Sequence, residues 1–239
     1  MVHKRTFEYS DGTNGYEGVV TYDDSSMNDR PIVLVAPTFR GQTEFEVQRA
    51  VRLAEMGYIG FAIDTYGKGK RGETNEEATA LMNTLNDDRP LLLERMQLCL
   101  KVARSFPMVD QNRIGAIGFC FGGKSVLDLA RSGEEIAGVV SFHGVLDPPG
   151  YNEDVEIKSK VLVLHGWDDP LATPEQAVAL AQELKSKRAN WELVAYGDTG
   201  HAFTNPAAND KAGGMSYNQE VDNRSWDRMV RFFEEVFAK

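Results

Sequence analysis

The chain alternates between short apolar runs and longer segments in which apolar residues recur with helical periodicity. Continuous apolar runs are typical of strands buried on both faces of a parallel sheet. These runs are residues 31–36, 58–63, 114–119, 137–142, 160–164 and 191–196. Helical periodicity marks residues 44–56, 124–131, 174–187 and 223–237, with further helices up to about Ser105. This alternation predicts an α/β fold with a mostly parallel, doubly wound sheet and helices on both faces.

The beginning of the chain differs, because its pattern predicts a β-hairpin. Apolar and polar positions alternate in residues 7–10 and 17–22, and Asp11-Gly12 provides a turn between them. A polar loop is expected over residues 23–29.

No internal repeat, low-complexity segment or linker interrupts the chain, so residues 1–239 are predicted to form a single domain. Two polar stretches, residues 68–88 and 205–221, are predicted to be insertions. Both follow strand ends that should border a functional site.

One turn between a predicted strand and a predicted helix carries a cysteine framed by glycines. The segment Gly118-Phe119-Cys120-Phe121-Gly122 has the Gly-x-nucleophile-x-Gly pattern, with sulfur in place of the usual serine oxygen. Glycines are favoured there because a strained strand-to-helix turn leaves little room for β-carbons. The turn aims the thiol at the N-terminus of the next helix, whose free N–H groups favour a thiolate. We interpret Cys120 as a nucleophile.

An acid and a histidine follow later strands, in the chain order nucleophile, acid, histidine that α/β-hydrolases use. Asp169 and His201 should meet Cys120 where the carboxyl ends of parallel strands gather. A thiolate attacks a carbonyl, an imidazole moves protons near neutral pH, and a carboxylate fixes the imidazole tautomer. Backbone N–H groups of Phe39 and Phe121 are expected to stabilise the oxyanion.

Two other hypotheses account for the same segment. Residues 118–125 also match the phosphate-binding pattern Gly-x-x-x-x-Gly-Lys-Ser, which would require Lys124 to face a phosphate and Ser125 to face magnesium. This hypothesis leaves the acid and the histidine unexplained. A binding module without activity is the other alternative, and an unreactive Cys120 would distinguish it.

Several neighbouring residues have competing structural interpretations. Asp168 competes with Asp169 as the acid, and a glycine three residues earlier favours Asp169. His143 and His165 end predicted strands, where a structural hydrogen bond is favoured for each. Cys99 lies in a helical pattern and is assigned to its core.

Five further residues are candidates for contact with a substrate: Thr38, Glu44, Tyr66, Arg71 and Phe203. Tyr66 and Phe203 could either line the pocket or pack its wall. Glu44 is also explained as a first-turn carboxylate favoured by the helix dipole, and Arg71 as a solvated loop residue.

Composition excludes several classes of function. The net charge of −10 and the sequence pI near 5.0 argue against nucleic acid and anionic membranes as partners. The two cysteines, Cys99 and Cys120, form no ligand cluster, so we expect no disulfide, metal or cofactor and a cytoplasmic location. The chain lacks an apolar signal-peptide stretch and any run of roughly 18 apolar residues, so no membrane association is expected.

The segment from Gly118 to Gly123, with Asp169 and the run Gly200-His201-Ala-Phe203, resembles the dienelactone hydrolase family. The resemblance extends over nearly the whole chain. It implies an α/β-hydrolase fold without a separate lid domain, in which Cys120, His201 and Asp169 form the triad. It also implies hydrolysis of a small ester or lactone by a monomer or homodimer, with carboxylesterase or thioesterase activity on other small acyl substrates as the alternative.

Two positions differ from the pattern of that family. The family's type member has a glutamate just after the first buried parallel strand, where Thr38 stands here, and Glu44 follows six residues later. An arginine that holds the dienelactone carboxylate is replaced by Asn205, although Arg71 could supply a positive charge. A neutral ester or lactone therefore fits the sequence at least as well as dienelactone.

Overall fold

The computed structural model describes residues 1–24, 29–151 and 153–238. The strands are β1 (Val2–Ser10), β2 (Gly15–Asp23), β3 (Arg30–Ala36), β4 (Ile59–Ala62), β5 (Val109–Phe119), β6 (Gly138–Phe142), β7 (Lys160–Gly166), β8 (Asn190–Tyr196), β9 (Asn209–Asp210) and β10 (Met215–Ser216). The helices are α1 (Glu44–Glu55), α2 (Asn75–Asn86), α3 (Arg89–Ser105), α4 (Phe121–Arg131), α5 (Pro174–Ser186) and α6 (Gln219–Phe237).

Within these described ranges the large sheet has the strand order β1-β2-β4-β3-β5-β6-β7-β8. Strand β4 pairs in parallel with β3, and β7 pairs in parallel with both β6 and β8. The pairs β1–β2 and β2–β4 are antiparallel, as the predicted hairpin requires. The order β4-β3-β5 reverses the direction of winding at β3, so the predicted mostly parallel, doubly wound sheet is confirmed.

The chain divides into two compact units, and the first is Met1–Ile117. Its strand β3 is buried along its whole length, as expected from its continuous apolar run. Helix α1 packs against β2, β3 and β4. The approach to β4 is close, because a β-carbon on Gly60 would lie 2.3 Å from the carbonyl oxygen of Ala50. This close contact explains why glycine interrupts an otherwise bulky strand.

The second unit, Gly118–Lys239, contains three parallel strands and the helices that cover them. Helix α4 packs against β6, α5 against β8, and α6 against β6 and β7. The amphipathic pattern of α6 buries Trp226, Met229 and Phe233. Burial of such large side chains stabilises the unit by roughly 1.5–3 kcal/mol each. The single-domain organisation of the whole chain stays a prediction.

Two helix boundaries differ from the prediction. Helix α4 begins at Phe121 rather than at residue 124, so Cys120 directly precedes its first turn. Helix α6 begins at Gln219, because the side chain of Asn218 caps it by accepting the N–H of Val221 at 3.2 Å. The predicted insertion over residues 205–221 therefore includes the small β9–β10 hairpin and the start of α6.

Part of the predicted polar loop over residues 23–29 lies outside the described residues, namely 25–28. No helix in the described parts of the chain is long and apolar enough to span a membrane.

Candidate active site

Cys120 occupies the strained turn between β5 and α4. Its φ of +56° lies in the left-handed region that L-residues avoid. The turn is fixed from outside, because the Cys120 N–H donates to the carbonyl of Phe142 at 3.1 Å. A β-carbon on Gly118 would lie 2.0 Å from the carbonyl oxygen of Gly122. The glycine frame seen in the sequence is therefore a steric requirement of this turn.

His201 and Asp169 are joined by a buried hydrogen bond. Nδ1 of His201 donates to Oδ2 of Asp169 at 2.7 Å. The other carboxylate oxygen accepts the N–H of Leu171 at 2.8 Å, which fixes the carboxylate plane. Asp168, the competing acid, is exposed to solvent. The hydrogen bond of His201 is therefore made with Asp169 and not with Asp168, and it places the proton of a neutral imidazole on Nδ1.

The backbone around His201 is held by the small hairpin that follows it. The His201 N–H donates to the carbonyl of Gly214 at 2.7 Å, and its carbonyl accepts the N–H of Ser216 at 3.2 Å. Ala202, the next residue, has a φ of +59°. The histidine is thus presented on a short, tightly wound loop that β10 anchors.

The pKa of His201 depends on burial and on the two other polar residues, Cys120 and Asp169. Burial by itself lowers the pKa of this imidazole. The charge of Cys120 and hydrogen bonds to Asp169 and Cys120 outweigh burial and raise the pKa to about 10. Cys120 and Asp169 therefore both act on the pKa of the His201 imidazole.

Nε2 of His201 is the ring nitrogen that does not bond to Asp169. Nε2 is buried, and no atom of the described residues meets it with strict hydrogen-bond geometry. An imidazole with Nδ1 bonded and Nε2 facing a thiol can accept the thiol proton. The arrangement therefore matches what nucleophilic attack by a thiolate needs.

The two residues that a nucleotide site would require are engaged elsewhere. The ammonium of Lys124 lies 2.7 Å from the Asp147 carboxylate, and Lys124 is 4% exposed. The hydroxyl of Ser125 donates to the carbonyl of Phe121 at 2.8 Å within its own helix. These contacts argue against the phosphate-binding interpretation of residues 118–125. No group of three or more His, Cys, Asp or Glu side chains among the described residues is arranged to hold a metal ion.

Aromatic rings pack around the histidine loop. Phe203 is fully buried, with ring centroids 4.9 Å from His143 and 5.8 Å from Tyr196. This burial favours wall packing over direct substrate contact for Phe203. The predicted structural hydrogen bond of His143 is present, because its Nε2 lies 2.8 Å from the hydroxyl of Thr204.

His165 does not make the structural hydrogen bond that the sequence suggested. It is 1% exposed, and neither ring nitrogen has a hydrogen-bond partner among the described residues. Burial lowers its pKa, the charge of Asp169 raises it, and His201 lowers it further. His165 is thus held as a neutral ring near the Asp169–His201 pair.

In the first unit, the turn that follows β3 contains two of the predicted residues. The N–H of Gly41 donates to the carbonyl of Thr38 at 3.0 Å, which closes a turn with Phe39 at its second position. The hydroxyl of Tyr66 donates to the Phe39 carbonyl at 3.0 Å. Tyr66 is buried, so its observed contact is with this turn.

Glu46 anchors the same turn, and it was missing from the predicted site. It is fully buried and accepts from the N–H of Thr38 at 3.1 Å and from the N–H and hydroxyl of Thr43 at 2.8 and 2.7 Å. Burial raises the pKa of this carboxyl, although its hydrogen bonds oppose the shift. Thr43-x-x-Glu46 has the capping-box spacing, so a signal was present in the sequence.

The remaining two candidates of the first unit behave differently from each other. Glu44 is exposed and lies 3.6 Å from the ammonium of Lys4, as a first-turn carboxylate would. Arg71 is not a solvated loop residue, so that interpretation is wrong. Its guanidinium lies 3.3 Å from Asp64 and donates to Gln42 at 2.9 Å. The buried carboxylate of Asp64, two residues after the end of β4, therefore has Arg71 as a cationic partner.

Comparison with known proteins identifies relatives along nearly the full length of the chain. The model of the dienelactone hydrolase family matches residues 17–237. A solved structure described as m3DLH is 35% identical, has a TM-score of 0.94 and covers 99% of both chains. A dienelactone hydrolase-like promiscuous phosphotriesterase from metagenomic libraries is 32% identical, with a TM-score of 0.93 over 98% of both chains. A Yersinia pestis protein, provisionally named a carboxymethylenebutenolidase, is 26% identical over 88% of this chain and 80% of its own.

Proposed function

Because the chain belongs to the dienelactone hydrolase family and is an ester or lactone hydrolase of the α/β-hydrolase fold, we propose that it uses a Cys-His-Asp triad. Cys120 is the nucleophile, His201 the proton carrier and Asp169 the partner of His201. One observation carries this assignment: the imidazole of His201 is hydrogen-bonded to Asp169 through Nδ1, and the charge of Cys120 raises the pKa of that imidazole. The substrate is a small ester or lactone.

In the acylation step, the Cys120 thiolate attacks the carbonyl carbon and a C–S bond forms. The protonated His201 then gives its Nε2 proton to the leaving alkoxide oxygen as the C–O bond breaks. A thioester with Cys120 results. If the substrate is a lactone, the released hydroxyl stays attached to the acyl group.

In the deacylation step, water attacks the thioester carbonyl while Nε2 of His201 takes its proton. The C–S bond breaks, the acid is released, and the proton on His201 again balances the thiolate. Asp169 supports the imidazolium in both steps, because its carboxylate stays hydrogen-bonded to Nδ1. The sequence of steps needs no group beyond the triad and water.

Stabilisation of the oxyanion is assigned to the N–H groups of Phe121 and Phe39. Phe121 is the first residue of α4, where N–H groups point out of the helix end. Phe39 sits inside the turn between Thr38 and Gly41, and none of the hydrogen bonds found among the described residues uses its N–H. Glu46 and Tyr66 support this assignment by fixing the turn.

A neutral acyl substrate is favoured over the dienelactone carboxylate. The guanidinium of Arg71 is already bound to Asp64 and Gln42, and Asn205 stands where the family's arginine would be. A charged substrate would therefore lack an obvious cationic partner in either place. Carboxylesterase or thioesterase activity on small acyl groups remains the alternative. Cytoplasmic location, independence from nucleic acid and a monomeric or homodimeric state stay predictions.

The deciding experiment compares Cys120→Ala with Cys99→Ala. Hydrolysis of p-nitrophenyl acetate should fall to the uncatalysed background in Cys120→Ala, since no other nucleophile replaces the thiol. Cys99 lies in the core of α3, so Cys99→Ala should keep the activity of the wild type per folded molecule. Undiminished turnover by Cys120→Ala would refute the triad.

A second experiment identifies the substrate class. The wild type is screened on lactones, short esters, thioesters and one phosphotriester, and the phosphotriester is included because a structural relative is described as a phosphotriesterase.

A further inference from the structure

The end of strand β6 contacts both the nucleophile and the histidine of the proposed triad. The carbonyl of Phe142 accepts the N–H of Cys120 at 3.1 Å. The next residue, His143, packs its ring edge-to-face against the ring of His201, with centroids 5.0 Å apart and planes at 67°. From this juxtaposition we infer that His143 is a positioning residue, which holds the imidazole of His201 in line with the sulfur of Cys120. The inference rests on the proposed function.

His143 is itself fixed in place from several directions. It is 2% exposed, and its N–H donates to the carbonyl of Leu164 on β7 at 2.8 Å. Its Nε2 is hydrogen-bonded to the hydroxyl of Thr204, which is fully buried and lies three residues after His201. The bond therefore ties the end of β6 to the loop that carries the histidine.

Backbone conformation at both ends of this link is unfavourable for ordinary residues. His143 has a φ of +36°, and Ala202, between His201 and Thr204, has a φ of +59°. Strain of this kind is unfavourable at each position and persists where surrounding contacts hold it. The strain places the His143 ring against His201, where a relaxed strand end would carry it elsewhere.

The ring contact adds a packing restraint to His201, whose Nδ1 is already bonded to Asp169. The hydrogen bond to Asp169 fixes the tautomer of the imidazole, and packing against the ring restrains its remaining tilt about the Cβ–Cγ bond. His143 provides that restraint, together with Phe203, whose ring lies 4.9 Å from that of His143. Small errors in the placement of a reacting group reduce rates by up to about 100-fold.

Two variants distinguish the contribution of the His143 ring from that of its hydrogen bond to Thr204. His143→Asn keeps a side chain that tolerates positive φ but removes the ring, whereas His143→Phe keeps a ring and loses the bond to Thr204. We expect kcat for p-nitrophenyl acetate to fall by about 10- to 100-fold in His143→Asn, with KM changed less than about 3-fold. His143→Phe should stay within about 5-fold of the wild type, because the surrounding aromatic rings hold it.

The second readout is the pH dependence of Cys120 alkylation by iodoacetamide, which does not need turnover. The titratable groups that act on His201 are Cys120, Asp169 and His165, and His143 packs against its ring. Displacing the imidazole weakens its stabilisation of the thiolate, so His143→Asn should move the alkylation profile to higher pH. His143→Phe should reproduce the profile of the wild type.

Phe232→Leu is the matched control, because it removes a buried ring of α6 that packs over Gly138 in the same unit. It should lower the melting temperature and leave kcat per folded molecule and the alkylation profile unchanged. Loss of kcat in His143→Asn no greater than in this control, with an unshifted profile, overturns the inference.

If His143→Asn does not fold, Thr204→Val decides the question. This variant keeps the volume of the side chain but leaves the polar His143 imidazole without its bond, whereas the apolar ring of His143→Phe packs against the surrounding aromatic rings. In Thr204→Val, kcat should therefore fall by about 3- to 10-fold and the alkylation profile should shift upward. An unchanged kcat and profile overturns the inference. Failure of the proposed function is recognised separately, because Cys120→Ala would then keep its activity whatever the His143 variants do.

Discussion

The carboxylate of Asp169 lies 2.7 Å from Nδ1 of His201, although 32 residues separate them along the chain. Its other oxygen accepts the N–H of Leu171, so the carboxylate cannot turn to accept a second bond from the ring. The pair therefore has one orientation and one neutral tautomer. Nε2 takes no part in this bond, and the proposed proton transfer at Cys120 uses it.

Replacing Asp169 by Asn should lower kcat/KM for p-nitrophenyl acetate by roughly 10²- to 10⁴-fold, because an amide no longer selects the productive tautomer or balances the imidazolium. The control is Asp168→Asn, which changes an exposed neighbour of the same type. It should remain within about 2-fold of the wild type. A larger loss in Asp168→Asn than in Asp169→Asn would reverse the assignment of the acid.

Stability should depend on pH through His201. Its pKa is raised from 6.5 to about 10 in the folded chain, so the folded state binds the imidazole proton more tightly than the unfolded state does. The resulting stabilisation is complete below about pH 6.5 and is lost as the pH rises through about 10. Chemical denaturation of the wild type and of His201→Gln should show a difference in unfolding free energy that shrinks over this range.

The sulfur is the largest of the influences that raise the pKa of His201. Cys120→Ala should therefore lower this pKa, measured from the pH dependence of the imidazole proton resonances. Cys99→Ala, which removes the other thiol, should leave it unchanged. A pKa of His201 that is the same with and without Cys120 would show that the two side chains are not coupled.

Glu46→Gln should weaken both the fold and the activity. The amide replaces one acceptor oxygen by a donor, which then meets an N–H or hydroxyl of Thr38 or Thr43. A buried mismatch of this kind lowers the free energy of unfolding by about 1–3 kcal/mol. Because the anchored turn carries Phe39, kcat should also fall, whereas KM should change less.

Glu44→Gln is the control for Glu46→Gln, since Glu44 belongs to the same helical turn and is exposed. Urea denaturation should place its unfolding free energy within about 0.5 kcal/mol of the wild type. Equal effects of the two substitutions would remove the special role assigned to the buried carboxylate.

The ion pair between Lys124 and Asp147 should stabilise the second unit. Asp147→Asn removes the carboxylate from a buried ammonium and should lower the free energy of unfolding by about 1–3 kcal/mol. Lys124→Met should have a smaller effect, because the Asp147 side chain is 41% exposed and stays hydrated.

Millimolar Mg-ATP should leave the melting temperature of the protein unchanged. A clear upward shift of the melting temperature would support the phosphate-binding hypothesis.

Much of the architecture was accessible from the sequence because burial on both faces of a sheet leaves an unmistakable apolar run. Strand β3 is the clearest case, since all of its residues are buried. The turn at Cys120 could also be predicted, because a β-carbon on Gly118 would clash with the backbone of the same turn, so glycine is required there. Both features are determined by residues that are adjacent in the chain, so they can be predicted from the sequence.

Contacts between distant segments were harder to predict. Arg71 looks like part of a solvated basic loop, and only the fold reveals the buried carboxylate of Asp64 beside it. The ring of His143 contacts that of His201, 58 positions later in the chain, and no local sequence pattern predicts this contact. The start of α6 was misplaced for a different reason: the polar residues Gln219, Glu220 and Asp222 obscure a first turn that Asn218 caps.

The positive φ of Cys120 has a consequence for how the chemistry of this protein can change. The unfavourable conformation is a property of the backbone and of the glycines around it, and the sulfur takes no part in creating it. Serine has the same branching at Cβ and could occupy the position without disturbing its neighbours. The reacting atom is therefore exchangeable by a single substitution, whereas the flanking Gly118 tolerates no side chain at all.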